Sequence, residues 1–188
     1  MTDKRTLVLD AAIDLVGTDG LRALTHRRVD ALAGVPAGST SNYFRTRQAL
    51  VVGVLDRLLE RDRGDAATLA DGSAPASRGE LEDLLCRYVT IATGPDVVRT
   101  RARYAMFVEA MATAELRGAV EVRRRELRAR GEQMLGVLGV DDPARGARVL
   151  VDYLDGVILH ALTAGDDPDL RAGIRRVLAG ITAPQPLA

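Results

Sequence analysis

Residues 39–42 form an uninterrupted polar run with the sequence STSN, and the aromatic residues Tyr43 and Phe44 follow it directly. Serine, threonine and asparagine compete with the backbone for hydrogen bonds, so this run would make a poor core and a poor isolated helix. Small hydroxyl groups and an amide can approach base edges closely in a DNA major groove, where asparagine suits adenine. The Tyr43 hydroxyl can reach a phosphate, and Phe44 is expected to fill the core.

Basic side chains lie on both sides of this polar run. Between residues 20 and 48 the sequence has a single acid, Asp30, against five arginines, which are Arg22, Arg27, Arg28, Arg45 and Arg47. Three basic side chains occupy the first turn of a short helix predicted over residues 26–33, where each cation opposes the helix dipole at a cost of about 0.3–1 kcal/mol. A phosphate bound at that N-terminus, next to the Thr25 hydroxyl, would remove the conflict.

Two short helices are expected to position these groups. The first covers residues 26–33 and stops at Gly34, and the second begins at Pro36, so that a tight turn between them gives a helix-turn-helix pattern. A long helix from about Thr46 to Arg63 follows, and its inward side chains are predicted to be Leu50, Val54, Leu55, Leu58 and Leu59. The pattern indicates a DNA-reading motif. The alternative is a solvated helical hairpin without a partner.

Apolar residues recur at helical spacing through the rest of the chain. A first helix precedes the motif and is predicted to end at Gly17 and Gly20, and the small, polar stretch 64–79 is predicted to be a loop. Helix starts are indicated by the capping-box pair Ser77 and Glu80 and by the Asp-Pro steps at 142–143 and 167–168. We therefore expect an all-α protein with about nine helices and no strand.

The composition restricts the class of protein. Of 188 residues, 47% are hydrophobic and 28% are charged, as in a globular chain, and the formal net charge is zero. Any affinity for nucleic acid must therefore come from a local patch. The single cysteine, Cys86, cannot form an internal disulfide, which suits a reducing compartment. No apolar run is long enough to span a membrane and the N-terminus does not read as a signal peptide, so we expect a cytoplasmic protein.

Motifs for enzymatic chemistry are not found. The sequence contains neither G-x-S-x-G nor the phosphate-binding pattern G-x-x-x-x-G-K-[ST]. His26, His160 and Cys86 lack the spacing of metal ligands. We expect no catalytic residue, no cofactor and no metal site. The charge-rich segment VEVRRRELRARGEQ, residues 120–133, is expected to be the solvated face of a helix.

Residues 5–51, about a quarter of the chain, resemble the N-terminal domain of the tetracycline-repressor (TetR) family of bacterial transcription regulators. The resemblance rests on AAIDLV, DGLRALT, VDALAGV, the Gly38-Ser39 step, Tyr43-Phe44 and RTRQAL in this order. It implies a recognition-helix face made of Gly38, Ser39, Ser41, Asn42 and Tyr43. It also implies phosphate contacts from Thr25, Arg28 and Arg47. The chain departs from the family at Ala37, where lysine is frequent, at Ser41, where tyrosine is frequent, and at Thr40, where an inward-pointing leucine is usual.

The remaining three quarters resembles the family in architecture alone. This resemblance implies a DNA-binding domain at residues 1–48 and, at residues 49–188, a helical domain that binds an effector and supplies the dimer interface. Aromatic and methionine side chains with a few polar groups suit a pocket for a largely apolar small molecule. The candidates, each of which would equally serve as ordinary core, are Tyr88, Tyr104, Phe107, Met111 and Tyr153. Val151 and Leu162 lie on an apolar row that can face a second copy.

The sequence thus predicts a DNA-binding transcriptional regulator. The favoured version is a repressor that a small-molecule effector releases from a palindromic operator in double-stranded DNA. One recognition helix reads too few base pairs for useful specificity, so a homodimer is expected. The alternative is an architectural or adaptor protein on the same fold that a protein partner controls. A cavity between the central helices would favour the repressor, and a packed core with an exposed apolar patch would favour the adaptor.

Overall fold

The computed structural model describes residues 3–69, 74–165 and 169–182. Within these ranges the chain forms nine α-helices, a short 3₁₀ helix at Leu21–Ala23 and no strand, which confirms the all-α prediction. The helices are α1 Lys4–Asp19, α2 His26–Leu32, α3 Ser39–Tyr43, α4 Arg47–Leu69, α5 Arg78–Thr93, α6 Val97–Ala112, α7 Ala114–Val137, α8 Pro143–Ala164 and α9 Leu170–Thr182. No helix of the described ranges has the length and apolar character needed to cross a bilayer.

Local capping signals place two helix starts where the sequence predicts them. The Ser77 hydroxyl accepts a hydrogen bond from the amide of Glu80 at 3.2 Å, and the Glu80 carboxylate accepts one from a preceding backbone amide at 2.8 Å. The first bond is that of a capping box, whereas Glu80 bonds the amide of Ala76, one residue before the N-cap Ser77. Asp142 caps α8, and Pro143 takes its first helical position. The Asp-Pro step at 167–168 lies outside the described residues.

Two helix boundaries differ from the sequence prediction. The first helix continues through Gly17 to Asp19, and Gly20 forms its C-cap with a φ of 81°. The close approach of α6 accounts for a glycine within the helix, since a Cβ added at Gly17 would lie 2.0 Å from the carbonyl oxygen of Val98. The long helix α4 extends to Leu69, into the stretch predicted to be a loop. The alanines and leucine of that segment are strong helix formers, and they outweigh its small, polar character.

The helices pack into two compact units, each with its own interior. Unit 1 comprises Met1–Gly64 with Asp96–Glu121, and unit 2 comprises Asp65–Pro95 with Val122–Ala188. In unit 1, α1 packs along α6, and α2 and α3 pack against each other. The side chains of α4 that were expected to point inward are all buried, namely Leu50, Val54, Leu55, Leu58 and Leu59. A continuous apolar core therefore supports α2 and α3 from behind.

In unit 2, α5, α8 and α9 pack against one another, and a charged cluster joins α5 to α9. Glu82 is buried and accepts hydrogen bonds from Arg175, at 2.9 and 3.1 Å, and from Arg171, at 3.0 Å. The hydrogen bond from Arg175, with that from Arg171, holds the pKa of Glu82 below its usual value. Glu82 is therefore ionised at neutral pH and holds Arg171 and Arg175 of α9 in place.

The charge-rich segment of α7 is not the fully solvated face that its sequence suggests. Arg123 is buried, with a relative exposure of 5%. Arg124 and Arg128 reach acids on α8, where their guanidinium groups lie 3.7 Å from Asp155 and 3.9 Å from Asp152. Arginine can lay its apolar stem on a neighbouring helix and still pair its charged end. The expectation of a solvated face is therefore wrong for this side of α7.

Candidate nucleic-acid interface

The helix-turn-helix consists of α2, a tight turn and α3. Thr25 caps α2, since its hydroxyl accepts a hydrogen bond from the amide of Arg28 at 3.4 Å. The turn contains Gly34 with a φ of 64°, and Gly38 precedes α3 with a φ of 90°. Both angles lie in the left-handed region, which glycine adopts at little cost. The polar run of the sequence thus forms the short helix α3.

The exposed side of α3 carries most of the predicted base-contacting residues. Ser41, Asn42 and Tyr43 are exposed, and Gly38 lies open at the start of the helix. Ser39 is half-buried, and its hydroxyl donates a hydrogen bond to the carbonyl of Pro36 at 2.6 Å. Because that bond uses the only hydroxyl proton of Ser39, its side chain can offer a base edge only an acceptor.

The arginines of the patch divide into two kinds. Arg28 forms an ion pair with Asp19, and the Arg47 guanidinium donates to the carbonyl of Leu21 at 3.0 Å. Both side chains are exposed, so a DNA phosphate can compete for them. Three further exposed arginines of the patch form no ion pair in the part of the chain that the structure describes, and these are Arg22, Arg27 and Arg45. Of these, Arg27 in the first turn of α2 and Arg45 two residues after α3 are further candidates for phosphate contact.

A buried polar pair that the sequence did not single out joins α2 to α3. Asp30 and Thr40 have relative exposures of 4% and 0%. One carboxylate oxygen of Asp30 accepts from the amide of Gly38 at 2.7 Å, and the other accepts from the amide and hydroxyl of Thr40 at 2.8 and 2.5 Å. Burial acts to raise the pKa of Asp30, but these hydrogen bonds outweigh it and lower the pKa. Asp30 is therefore an ionised carboxylate aimed at the start of α3.

The far end of α3 is held by its own neighbours. Nε2 of His26 lies 2.7 Å from the carbonyl oxygen of Phe44, and because a carbonyl only accepts, Nε2 donates. The Phe44 side chain is buried against Gly53, and the guanidinium of Arg5 lies 5.3 Å from its ring centroid. The expectation that Phe44 fills the core is confirmed.

The five candidate effector contacts do not form one cluster within either unit. Tyr104 and Phe107 belong to unit 1, where their ring centroids lie 5.6 Å apart with the planes tilted by 55°. Met111, one turn further along α6, is 75% exposed. Tyr88 and Tyr153 are half-buried in unit 2. Their role in ligand binding stays a prediction.

Unit 2 contains a cavity that the sequence did not indicate. Its volume is about 330 Å³, and its walls come from α5, α8 and α9. None of the five candidate residues lines it; its apolar lining includes Val89, Pro95, Val157, Ala161 and Leu170. Among the described residues no group of three or more histidine, cysteine, aspartate or glutamate side chains could hold a metal ion.

Comparison with known proteins identifies the family of this chain. The family described as "Tetracyclin repressor-like, C-terminal domain" matches residues 76–184, which is more than half of the sequence. The chain belongs to the TetR family. The resemblance noted over residues 5–51 and this match over the C-terminal part agree, and they cover different parts of the chain. The fold described above, an N-terminal helix-turn-helix followed by further helices, is the fold of TetR-family structures.

Relatives within the TetR family are transcription regulators. The HTH-type transcriptional regulator BetI of Agrobacterium fabrum is 31% identical over 163 residues, which are 85% of this chain and 77% of BetI. The HTH-type transcriptional repressor KstR of Rhodococcus jostii is 32% identical over 118 residues, 61% of this chain and 53% of KstR. The crystal structure of the multidrug binding protein EbrR complexed with imidazole superposes with a TM-score of 0.72 at 30% identity, covering 98% of both chains.

Proposed function

We propose that this TetR-family chain is a transcriptional repressor that binds a palindromic operator and leaves it when a small-molecule effector binds. The observation that carries the proposal is the exposed side of α3, where Ser41, Asn42 and Tyr43 lie between exposed arginines. Asn42 and Ser41 read base edges, and Ser39 offers an acceptor. The open backbone at Gly38 allows close approach. The phosphate contacts are Thr25, Arg27, Arg28, Tyr43, Arg45 and Arg47.

In this proposal residues 1–48 read DNA, and residues 49–188 bind the effector and pair two copies. Twofold pairing presents two recognition helices about 34–36 Å apart, or one turn of DNA. Apolar side chains on α8 support this pairing, since Val149 and Leu159 are 44% and 46% exposed and Val151 and Leu162 are half-buried.

Selection of bound duplexes from a random pool tests the proposed function. We expect a palindrome with half-sites one turn apart, and a pool without enrichment would refute specific recognition.

Two substitutions separate phosphate contact from base contact. Arg47→Ala should weaken binding to operator and random DNA equally and reduce the slope of log affinity against log salt by about 1. Asn42→Ala should change base preference at one position of each half-site, at a cost of about 1–3 kcal/mol, and leave the salt slope unchanged. Titrations at several salt concentrations measure both effects. Arg101→Ala, which removes an exposed arginine of α6, is the matched control and should change neither.

The effector in this proposal is a largely apolar small molecule with one or two polar groups. EbrR supports this part, since its structures contain imidazole, ethidium or proflavin. Tyr88, Tyr104, Phe107, Met111 and Tyr153 are the proposed contacts. A ligand releases DNA only if it binds better to a form whose recognition helices are wrongly spaced, and such coupling is about 1–3 kcal/mol. Operator affinity should therefore fall about 5- to 150-fold.

Ethidium and proflavin are the first probes for this switch. We expect one of them to raise the melting temperature of the wild-type chain and to weaken operator binding. Phe107→Ala should lose the response and keep operator binding, because it removes a proposed wall of the pocket. Ala161→Phe, which fills the cavity of unit 2, should keep the response. The reverse pattern would move the effector to that cavity. If neither probe, nor a wider screen of such compounds, changes both measurements, control by a protein partner replaces control by an effector.

A further inference from the structure

The recognition helix α3 is too short to hold its own orientation. It has 5 residues, and isolated helices shorter than about 12–15 residues are only marginally stable in water. Its N-cap, Gly38, provides no side chain to satisfy the first amides. The position of α3 must therefore come from contacts outside it. Since Ser41, Asn42 and Tyr43 are all exposed, the side of α3 that faces DNA supplies little of that support.

Contacts at both ends of α3 come from one neighbouring helix. His26 and Asp30 are four residues apart on α2, so they lie on the same side of that helix. The Asp30 carboxylate binds the amides of Gly38 and Thr40 at the amino end, and the His26 ring binds the carbonyl of Phe44 at the carboxyl end. A negative group therefore meets the positive end of the helix dipole, and an N–H donor meets the negative end.

We propose that Asp30 and His26 are positioning residues for DNA recognition: together they hold both ends of α3 and set the angle at which Ser41, Asn42 and Tyr43 meet the DNA. Thr40 belongs to the same device. Its hydroxyl donates to the Asp30 oxygen that also accepts its own amide, and this fixes the rotation of α3 as well as its position. The proposal rests on the proposed function, since a recognition angle matters only if α3 reads DNA.

The hydrogen bonds between Asp30 and Thr40 account for a buried threonine in α3. Thr40 is fully buried although its side chain is polar. A buried hydroxyl without a partner is costly, so a threonine here requires an acceptor. Asp30 is that acceptor, and it lies on the neighbouring helix. The two residues therefore form a buried polar contact, and its hydrogen bonds are directional.

Four substitutions test the device. Asp30→Asn replaces one carboxylate oxygen by an NH₂ group, which cannot accept, so the amide of Gly38 or the pair of Thr40 donors loses its partner. Thr40→Val removes only the hydroxyl, and Thr40→Ser keeps it. His26→Phe keeps a ring and removes the donor. Thr18→Val is the matched control, because that exposed hydroxyl of α1 bonds only to carbonyls of its own helix, at 2.8 and 3.5 Å.

The expected readout is the ratio of operator affinity to random-DNA affinity. Asp30→Asn and Thr40→Val should lower operator affinity by about 10- to 100-fold, because DNA must restore the angle of α3 as it binds. His26→Phe should lower it by about 2- to 10-fold. Random-DNA affinity and its salt slope should not fall in any of the three. Thr40→Ser should restore the wild-type ratio, and Thr18→Val should keep it.

Two other roles for Asp30 give different patterns. If the carboxylate acted only through its charge, Asp30→Asn would raise affinity for every duplex, since it removes a negative charge beside phosphates. If it served only global stability, operator and random-DNA affinities would fall together with the folded fraction. Either pattern, or a wild-type ratio in Thr40→Val, overturns the inference.

A measurement without DNA separates this inference from the proposed function. Amide hydrogen exchange of Gly38 and Thr40 in the free chain should be slow in the wild type and faster in Asp30→Asn. The exchange rates of the α1 amides should be the same in both. If the wild type selects no operator but this difference is found, the hold on α3 is real and the proposed function fails. If an operator is selected but the exchange rates do not differ, the inference fails alone.

Discussion

Replacing Asp62 with alanine is expected to destabilise the chain by about 3–5 kcal/mol, because it removes a carboxylate that pairs with the buried guanidinium of Arg103. Asp62 lies on α4 and Arg103 on α6, and two hydrogen bonds of 2.9 and 2.5 Å join them. The side chains are 5% and 11% exposed. Thr100, fully buried, accepts a further bond from Arg103 at 3.4 Å. Urea unfolding followed by circular dichroism measures the loss.

The double substitution Asp62→Leu/Arg103→Met distinguishes the value of the pair from the cost of breaking it. Replacing both charges by apolar groups of similar size should be neutral or stabilising by about 1–4 kcal/mol, since neither ion then needs to leave water. Asp19→Ala is the matched control in the same unit, because Asp19 pairs with Arg28 at the surface. It should cost less than about 1 kcal/mol. An Asp62→Ala loss no larger than this would contradict the buried ion pair.

The helices and the helix-turn-helix could be predicted because their signals are local. Apolar spacing marks α4, and its inward leucines and valines are buried as expected. Capping residues are equally local, which is why Ser77 and Asp142 mark their helices correctly. The polar run STSN predicts an exposed helix surface, and Ser41, Asn42 and the following Tyr43 are exposed on α3. Each of these features depends on residues within a few positions of each other.

The contacts that hold those helices together could not be predicted, because their partners lie far apart in sequence. Asp30 counted only as the single acid of a basic patch, and its role depends on amides eight and ten residues away. Arg103 has no local sequence signal for a partner, yet its guanidinium binds Asp62, 41 residues away. The charge pattern of α7 predicts a solvated face at Arg123, yet Arg123 is buried. Charge alone does not reveal whether an arginine has a buried partner.

The grouping of the candidate effector contacts also could not be predicted from the sequence. Tyr104 and Phe107 are three residues apart on one helix, and their rings meet as the spacing predicts. Tyr88 and Tyr153 fall in the other unit, and Met111 projects from α6 with most of its surface exposed. An aromatic or methionine side chain is chemically suited to core, pocket and surface alike. Residue type therefore identifies candidates for a pocket, but it does not show which of them lie together.

Gly17→Ala is the other substitution with a large expected effect, a destabilisation of about 3 kcal/mol or more. A Cβ at this position would lie 2.0 Å from the carbonyl oxygen and 2.7 Å from the carbonyl carbon of Val98. Those atoms belong to the first turn of α6, so no side-chain rotation can relieve the overlap. The backbones of α1 and α6 must separate, and that separation opens the core that they share.

The matched control is Gly118→Ala, in the exposed part of α7 that belongs to the same unit. A Cβ there meets nothing within 4 Å, so alanine should stabilise the chain by about 0.5–1 kcal/mol through its higher helix propensity. The same change of one methyl group is thus expected to have opposite signs at the two positions. Thermal and urea unfolding of both variants measure the difference. If Gly17→Ala were as stable as Gly118→Ala, the close contact between α1 and α6 at Gly17 would be contradicted. The helix α1, which packs against the helix-turn-helix, would then lie farther from α6.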